Sequence, residues 1–280
     1  MSNVVTLKQA AEGRPHRGTI VALHCSGSSS AQWRKLGEMA EDGFDVRCLD
    51  LYGCGRTGGW TGEDAFTLTD EGHGVVAAID AARGPVHLVG HSYGGAVALH
   101  AALRRAGRIA SLSLYEPTLF HLLPAMGPEG GDAYAEITMV AAAIAKGVVT
   151  GDYCAAAQRF VDYWSESGSW HRLRPEIQIQ LIRWIVKAPL DFRALFGDAT
   201  APTAYAGLVC PVLVLRGEHA PSPTRLVAAR LAEILPHGRA ATIAGAGHMG
   251  PITHAAEVNA HILDHIGRSR PIQHPWRQAV

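Results

Sequence analysis

The residues of this chain best suited to chemistry surround Ser92, at the centre of the five-residue sequence Gly-His-Ser-Tyr-Gly that begins at Gly90. A short apolar run, residues 86–89, precedes this sequence, and an alanine-rich stretch with helical composition, residues 93–105, follows it. The pattern predicts a strand, a sharp turn and a helix, with the serine hydroxyl exposed at the apex of the turn. A serine in that position is a candidate nucleophile for acyl transfer.

A serine hydroxyl needs a base to accept its proton, and His248 is the best candidate. The chain has 15 histidines, so composition alone does not select one. His248 lies in a glycine-rich loop, Gly-Ala-Gly-His-Met-Gly-Pro from residue 245, directly after the last predicted strand. Glycines let the backbone present a side chain at a crowded angle. His91 is instead predicted to be structural, with its side chain turned away from the nucleophile.

Acyl transfer also needs backbone N–H groups that stabilise an oxyanion. One predicted donor is the amide of Tyr93, because this residue follows the nucleophile at the start of a helix. The second predicted donor is the amide of Ser26, in the serine-rich loop at residues 24–30. An alternative interpretation of this loop is that its serines only cap the helix that begins near residue 31.

Strand and helix patterns alternate on both sides of these loops. Buried-strand runs are predicted at residues 19–24, 44–51, 86–89, 109–115, 211–217 and 240–244, with helical stretches between most of them. This alternation predicts an α/β fold with a mostly parallel central sheet and helices on both faces. The helix predicted at residues 68–82 begins with Asp70 and Glu71, two acidic residues that suit a helix N-terminus.

The alternation is interrupted between residues 119 and 204, where the pattern is helical throughout. Helices are predicted at residues 134–145, 153–164 and 176–186. We therefore expect a core formed by residues 1–118 and 205–280, with residues 119–204 inserted as a helical cap, or lid. The tail after Gly267, which contains Pro271 and Pro275, is predicted to be an extended arm.

Taken together, these motifs resemble the α/β-hydrolase fold family, in the form of a serine hydrolase with a helical cap. The resemblance covers nearly the whole chain and rests on the loop at residue 24, residues 50–56, residues 90–95 and Gly247-His248. It implies a site in which serine, an acid and histidine follow one another along the chain. One departure is Cys25, where the family usually has glycine after the histidine of the oxyanion loop.

The second departure concerns the acid. The family usually places an Asp in the loop after the strand that ends near residue 216, and this chain has Ala220 there. Glu116, at the end of the preceding predicted strand, is our preferred acid because some family members place it at that strand end. Glu218 is the alternative, and a site without a strong acid is the third possibility. Geometry decides the role of each carboxylate, not its order in the chain.

Aromatic residues of the lid are candidates for the wall of a substrate pocket. Trp164, Trp184 and Phe160 are the main candidates, and Trp170, Phe192 and Phe196 are further ones. The competing interpretation is that any one of them only packs lid helices against each other and against the sheet.

Composition narrows the functional class. Apolar residues make up 48% of the chain, and 25 Lys and Arg balance 25 Asp and Glu, so we expect no binding to nucleic acid or to a membrane. The five cysteines form no C-x-x-C motif, and the N-terminus has no secretory pattern. We therefore expect a cytoplasmic enzyme with reduced thiols, no metal and no cofactor, acting on a small molecule. A homodimer is left open.

The predicted function is a serine hydrolase that acts on a small carboxylic ester, thioester or lactone through an acyl-enzyme on Ser92. The same residues would support carbon–carbon bond hydrolysis or cofactor-free perhydrolysis, because a fold and its site do not fix the substrate. A third hypothesis, of another class, is a ligand-binding or receptor-like protein on an inactive hydrolase fold. The alanine at position 220 is its main support.

Overall fold

The computed structural model of the protein describes residues 3–269 of the 280-residue chain. Most of the tail predicted to be an extended arm therefore lies outside the described residues. Seven strands form one sheet, and β1 to β7 span Val4–Lys8, Gly18–Leu23, Phe44–Leu49, Val86–His91, Ile109–Tyr115, Val212–Gly217 and Gly238–Ile243.

The strand order across the sheet is β1-β3-β2-β4-β5-β6-β7. β1 pairs antiparallel with β3, and every other neighbouring pair is parallel. The mostly parallel sheet predicted from the sequence is therefore confirmed. β1 was not among the predicted strands, because it lies at the sheet edge, is only partly buried and has no continuous apolar run.

Helices cover both faces of this sheet. Within residues 3–269, α1 to α11 span Arg34–Met39, Leu68–Asp80, Tyr93–Arg104, Gly127–Val149, Tyr153–Trp164, Ser169–Arg172, Pro175–Trp184, Ala188–Phe196, Ser222–Ile234, Gly250–Thr253 and Ala255–Arg268. Short 3-10 helices lie at Ser30–Trp33, Ala106–Arg108, Phe120–Ala125, Ile185–Lys187 and Pro202–Gly207.

The segment between β5 and β6 is helical. Residues 119–204, all of which the structure describes, hold α4 to α8 and contain no strand. The helix expected at residues 134–145 begins about two turns earlier, at Gly127, and ends about one turn later, at Val149, and α5 has its predicted bounds. The division of the chain into a core and an inserted cap stays a prediction, but this segment is where the cap was expected.

Alternate side chains of the buried strands pack on opposite faces of the sheet. In β2, Val21 and Leu23 belong to a large apolar cluster shared with α2, α3, α9 and the helical segment. Ile20 and Ala22 belong to a second cluster, shared with α1 and α11. Because successive side chains of a strand point to opposite faces, the two apolar clusters lie on opposite sides of the same sheet. The loops that follow the carboxyl ends of its parallel strands therefore meet at one edge, where open α/β sheets bind ligands.

Candidate active site

Ser92 lies between β4 and α3, on a backbone turn that few side chains adopt. Its φ is +55° and its ψ is −120°. The flanking glycines are required, because a Cβ at Gly90 would lie 2.6 Å from the carbonyl oxygen of Gly94. A Cβ at Gly94 would lie 2.3 Å from the carbonyl oxygen of His24. Ser92 is thus held in a strained turn, as the sequence predicts.

His248 contacts Ser92 from the loop between β7 and α10. The Ser92 hydroxyl lies 2.9 Å from His248 Nε2, and His248 Nδ1 lies 2.7 Å from Glu116 Oε2. When Nδ1–H donates to the carboxylate, Nε2 is left to accept the serine proton. All three side chains are buried, so water does not compete for these hydrogen bonds. The arrangement can activate a serine for attack on a carbonyl carbon.

The carboxylate beside His248 is that of Glu116. This residue follows β5 in a left-handed backbone conformation, with φ +42°. Its Oε1 accepts a hydrogen bond from the amide of Gly217 at 2.8 Å, and its Oε2 accepts one from the hydroxyl of Thr224 at 2.8 Å. Three donors therefore fix one buried carboxylate. Glu218, the alternative acid, is exposed and accepts a hydrogen bond from the amide of Gly245 instead.

The two predicted oxyanion donors line the same pocket as Ser92. Ser26 lies in the loop after β2, and Tyr93 is the first residue of α3. Among residues 3–269, the amides of Ser26 and Tyr93 donate no hydrogen bond, so both are available to a ligand. The neighbouring amide of Cys25 is occupied, because it donates to the side-chain oxygen of Gln32 at 3.1 Å.

The pocket above Ser92 is mostly apolar and is roofed by the helical segment. It contains about 410 Å³ of space between atoms, including the open space at its mouth. Its lining residues are Cys25, Ser26, Ser92, Tyr93, Thr118, Phe120, Phe160, Trp164, Trp184, Ala188, Asp191, Phe192, Leu195, His248 and Met249. The Trp164 ring lies 4.2 Å from the imidazole of His248, centroid to centroid. Its mostly apolar lining suits the apolar part of a small substrate.

The structure thus brings four of the six aromatic candidates to the pocket, namely Phe160, Trp164, Trp184 and Phe192. Trp170 and Phe196 do not line it. Trp170 is buried within the helical segment, where its amide donates to Asp162, and Phe196 packs against Phe120, Tyr134 and Phe192. For these two residues the contacts agree with the packing interpretation.

His91 supports the loop that carries His248. Burial lowers the pKa of His91 well below its usual value, so the ring is neutral and has one donor and one acceptor. Its Nε2–H donates to the backbone carbonyl of His248 at 2.8 Å, and its Nδ1 accepts from the Gln32 amide group at 3.1 Å. The expectation that His91 is structural therefore agrees with its contacts, but its side chain turns toward the His248 loop and not away from the site.

A buried ion cluster beside the pocket was not predicted. Lys187 Nζ donates to Glu71 Oε2 at 2.8 Å and to Asp191 Oδ1 at 2.5 Å. Burial opposes the charge on Lys187, yet Asp191 and Glu71 raise the pKa of its ammonium above the usual value. Burial raises the pKa of Asp191 to about 6, against the opposing effect of Lys187. The i, i+4 spacing of Lys187 and Asp191 was a signal in the sequence, whereas Glu71 resembled an ordinary residue of a helix N-terminus.

Other features bear on ligands. Within the described part of the chain, no group of three or more His, Cys, Asp or Glu side chains is placed to hold a metal ion. The five cysteines are all free thiols, and only Cys154 is exposed. No helix among residues 3–269 is both long and apolar enough to cross a membrane.

Comparisons with known proteins agree with the fold of this chain. Residues 20–261 match the model of the alpha/beta hydrolase family. A putative carbamate hydrolase RutD of Variovorax paradoxus is 29% identical over 275 residues, covering 91% of this chain and 94% of its own length. The enol-lactonase of Burkholderia xenovorans has a similar structure, with a TM-score of 0.72 at 18% identity over 94% of this chain and 95% of its own. The carboxylesterase CesB of Bacillus subtilis gives a TM-score of 0.68 at 18% identity, over 94% and 86%.

Proposed function

The chain belongs to the alpha/beta hydrolase family, and we propose that it hydrolyses a small carboxylic ester, thioester or lactone through an acyl-enzyme on Ser92. One observation carries the proposal. Ser92 is hydrogen-bonded to His248 at 2.9 Å and His248 to Glu116 at 2.7 Å, and Ser92 and His248 both line a pocket. Its relatives are hydrolases by name, which supports hydrolytic activity.

In the first half of the reaction, the Ser92 oxygen attacks the substrate carbonyl carbon as its proton passes to His248 Nε2. The Glu116 carboxylate stabilises the imidazolium that forms. The amides of Ser26 and Tyr93 donate to the oxyanion of the tetrahedral intermediate. Collapse of this intermediate breaks the bond to the leaving group, which takes the proton from His248 and departs as an alcohol or thiol.

The second half repeats these steps with water. His248 Nε2 accepts a proton from a water molecule, and the hydroxide attacks the acyl carbon. The second tetrahedral intermediate collapses, the Ser92 oxygen recovers its proton from His248, and the acid leaves. In a lactone the leaving alcohol stays attached to the acyl group, so one hydroxy acid is released.

The substrate class is tested with a panel. Because one relative is named a putative carbamate hydrolase, a carbamate belongs in the panel beside short aryl esters, thioesters and lactones. A ring-cleavage diketone tests for carbon–carbon hydrolysis, and peracid formation from a carboxylic acid and hydrogen peroxide tests for perhydrolysis. Preferred turnover of the diketone or of the peroxide would overturn the ester assignment.

The nucleophile is tested by covalent labelling. A fluorophosphonate should add to Ser92, as seen by mass spectrometry of the peptide that contains it, and Ser92→Ala should abolish both labelling and hydrolysis. Glu218→Gln is a matched control, since its carboxylate bonds to the Gly245 amide and not to His248. Labelling of another residue, or full hydrolysis by Ser92→Ala, would refute the proposal. The absence of any adduct in the wild-type protein would favour the ligand-binding alternative.

A further inference from the structure

A lysine of the helical segment lies between two carboxylates beside the pocket. Lys187, in the 3-10 helix before α8, is 6% exposed. Its ammonium contacts Glu71 of α2 and Asp191 of α8, which are 3% exposed each, and lies 4.8 Å from the centre of the Tyr93 ring. A buried ion cluster of this kind costs desolvation free energy and is weak support for stability. Stability therefore does not explain why the cluster lies at this position.

Each carboxylate of this cluster also binds one of the two residues proposed to stabilise the oxyanion. Asp191 Oδ2 accepts a hydrogen bond from the Ser26 hydroxyl at 2.6 Å. Glu71 Oε2 accepts one from the Tyr93 hydroxyl at 3.0 Å. Ser26 lies in the loop after β2 and Tyr93 begins α3, so one lysine connects both halves of the oxyanion site to the lid.

We infer that Asp191 and Lys187 are positioning residues, which hold the amides of Ser26 and Tyr93 in register for the oxyanion. The inference rests on the proposed function and extends it to the lid, whose helices then complete the active site instead of only covering the pocket. An amide placed wrongly by a fraction of an ångström loses much of its stabilising effect, because that effect depends on a preorganised geometry.

Charge alone would act in the opposite direction. Two carboxylates and one ammonium leave a net negative charge, which opposes the negative charge of an oxyanion. The neighbouring His24 does not offset it, because burial lowers the pKa of this histidine and keeps its ring neutral. The benefit of Asp191 must therefore come from the hydrogen bond that it accepts from Ser26. With its oxygen facing Ser26, an asparagine accepts the same hydrogen bond without the charge, and Lys187 keeps Glu71 as its partner. A leucine accepts no hydrogen bond.

Two substitutions at position 191 separate geometry from charge. With a neutral 4-nitrophenyl ester, Asp191→Leu should lower kcat at least about tenfold while KM changes less than about threefold, since the lost contact acts on the transition state. Asp191→Asn should keep kcat within about threefold of the wild-type value. An equal fall in kcat for both variants would overturn the inference, because it would assign the role to the charge.

A double-mutant cycle tests the link to Ser26 directly. Ser26→Ala keeps the backbone amide and removes the hydroxyl that Asp191 binds. It should lower kcat about as much as Asp191→Leu does, and the double variant should be no slower than either single variant. Additive losses would overturn the inference. Ser26→Ala also keeps the test decisive if Asp191→Leu does not fold.

Two controls separate this inference from neighbouring explanations. Asp152→Leu removes the lid carboxylate that caps α5, so it destabilises the lid away from the pocket and should leave kcat unchanged. A fall in kcat equal to that of Asp191→Leu would mean general lid damage and would overturn the inference. Fluorophosphonate labelling distinguishes the failure of this inference from the failure of the proposed function. If the wild type is labelled at Ser92 and Asp191→Leu is fully active, only the positioning role is refuted. If the wild type is not labelled, the proposed function itself is refuted.

Discussion

Replacing Glu116 by glutamine should remove the carboxylate that orients the general base His248 without removing the side-chain volume. The carboxylate accepts hydrogen bonds from the Gly217 amide on Oε1 and from Thr224 and His248 on Oε2. A glutamine has one acceptor oxygen and one donor NH₂ group, so it cannot serve all three donors at once. Either orientation of the amide therefore breaks part of the site.

If the glutamine oxygen faces Gly217, its NH₂ faces His248 and donates to Nδ1. The imidazole proton then resides on Nε2, which can no longer accept the proton of Ser92. If the amide is flipped, NH₂ meets the buried N–H of Gly217 and leaves that donor unpaired, at a cost of about 1–3 kcal/mol in folding free energy. The first orientation avoids this cost, so we expect the wrong tautomer to prevail.

The expected result is a fall in kcat of about 10³–10⁴, by analogy with the loss of the acid in serine protease triads. That ratio corresponds to roughly 4–5.5 kcal/mol of transition-state stabilisation. Burst and steady-state kinetics with an activated aryl ester measure it, and Glu218→Gln is the matched control, with kcat within about twofold of wild type. A Glu116→Gln variant that keeps kcat within about threefold, or a Glu218→Gln variant that loses as much, would refute the assignment.

Two further predictions concern stability. Gly94→Ala should lower the free energy of unfolding by about 3 kcal/mol or more, because its Cβ would lie 2.3 Å from the backbone oxygen of His24 and 2.7 Å from that of Leu23, the last residue of β2. In the same urea titration, Gly58→Ala should match the wild type, since a Cβ there meets no atom within 4 Å. Equal midpoints for the two variants would contradict the prediction. The pKa of Asp191 is raised from 3.8 to about 6, so the folded chain binds a proton on this carboxyl more tightly than the unfolded chain does. The free energy of unfolding therefore falls by roughly 3 kcal/mol as the pH rises from 3.8 through about 6. Urea unfolding at pH 4 and pH 8 should show Asp191→Asn gaining stability relative to wild type at the higher pH, and a constant difference would show that Asp191 does not titrate in this range.

The features predicted from the sequence are those set by local patterns. The turn at Ser92 is specified by two glycines and a strand–helix boundary, all within ten residues. This short segment is therefore enough to predict the turn. The parallel strands follow from continuous apolar runs, and α5 from its helical periodicity. His248 was identified because a glycine-rich loop after the last strand is also a local signal.

The edge strand β1 shows where such signals fail. Val4–Lys8 is partly buried and pairs with β3 on one side only, so its apolar pattern is weak. Local signals also fail for Glu71, because its place near the start of α2 suggests only an interaction with the helix dipole. Its partners Lys187 and Tyr93 come from two other elements, and no periodicity in the sequence reports contacts of that kind.

The sequence by itself determined the fold class, the nucleophile candidate and its base, since each depends on residues close together in the chain. Only the tertiary structure decided which carboxylate lies beside His248. Glu116 is 132 residues away, and it reaches the imidazole because β5 and β6 are neighbours and the end of β6 donates to its side chain. Strand order and the position of α9 are properties of the whole packed sheet, so a distance of 2.7 Å between two side chains cannot be obtained from local patterns.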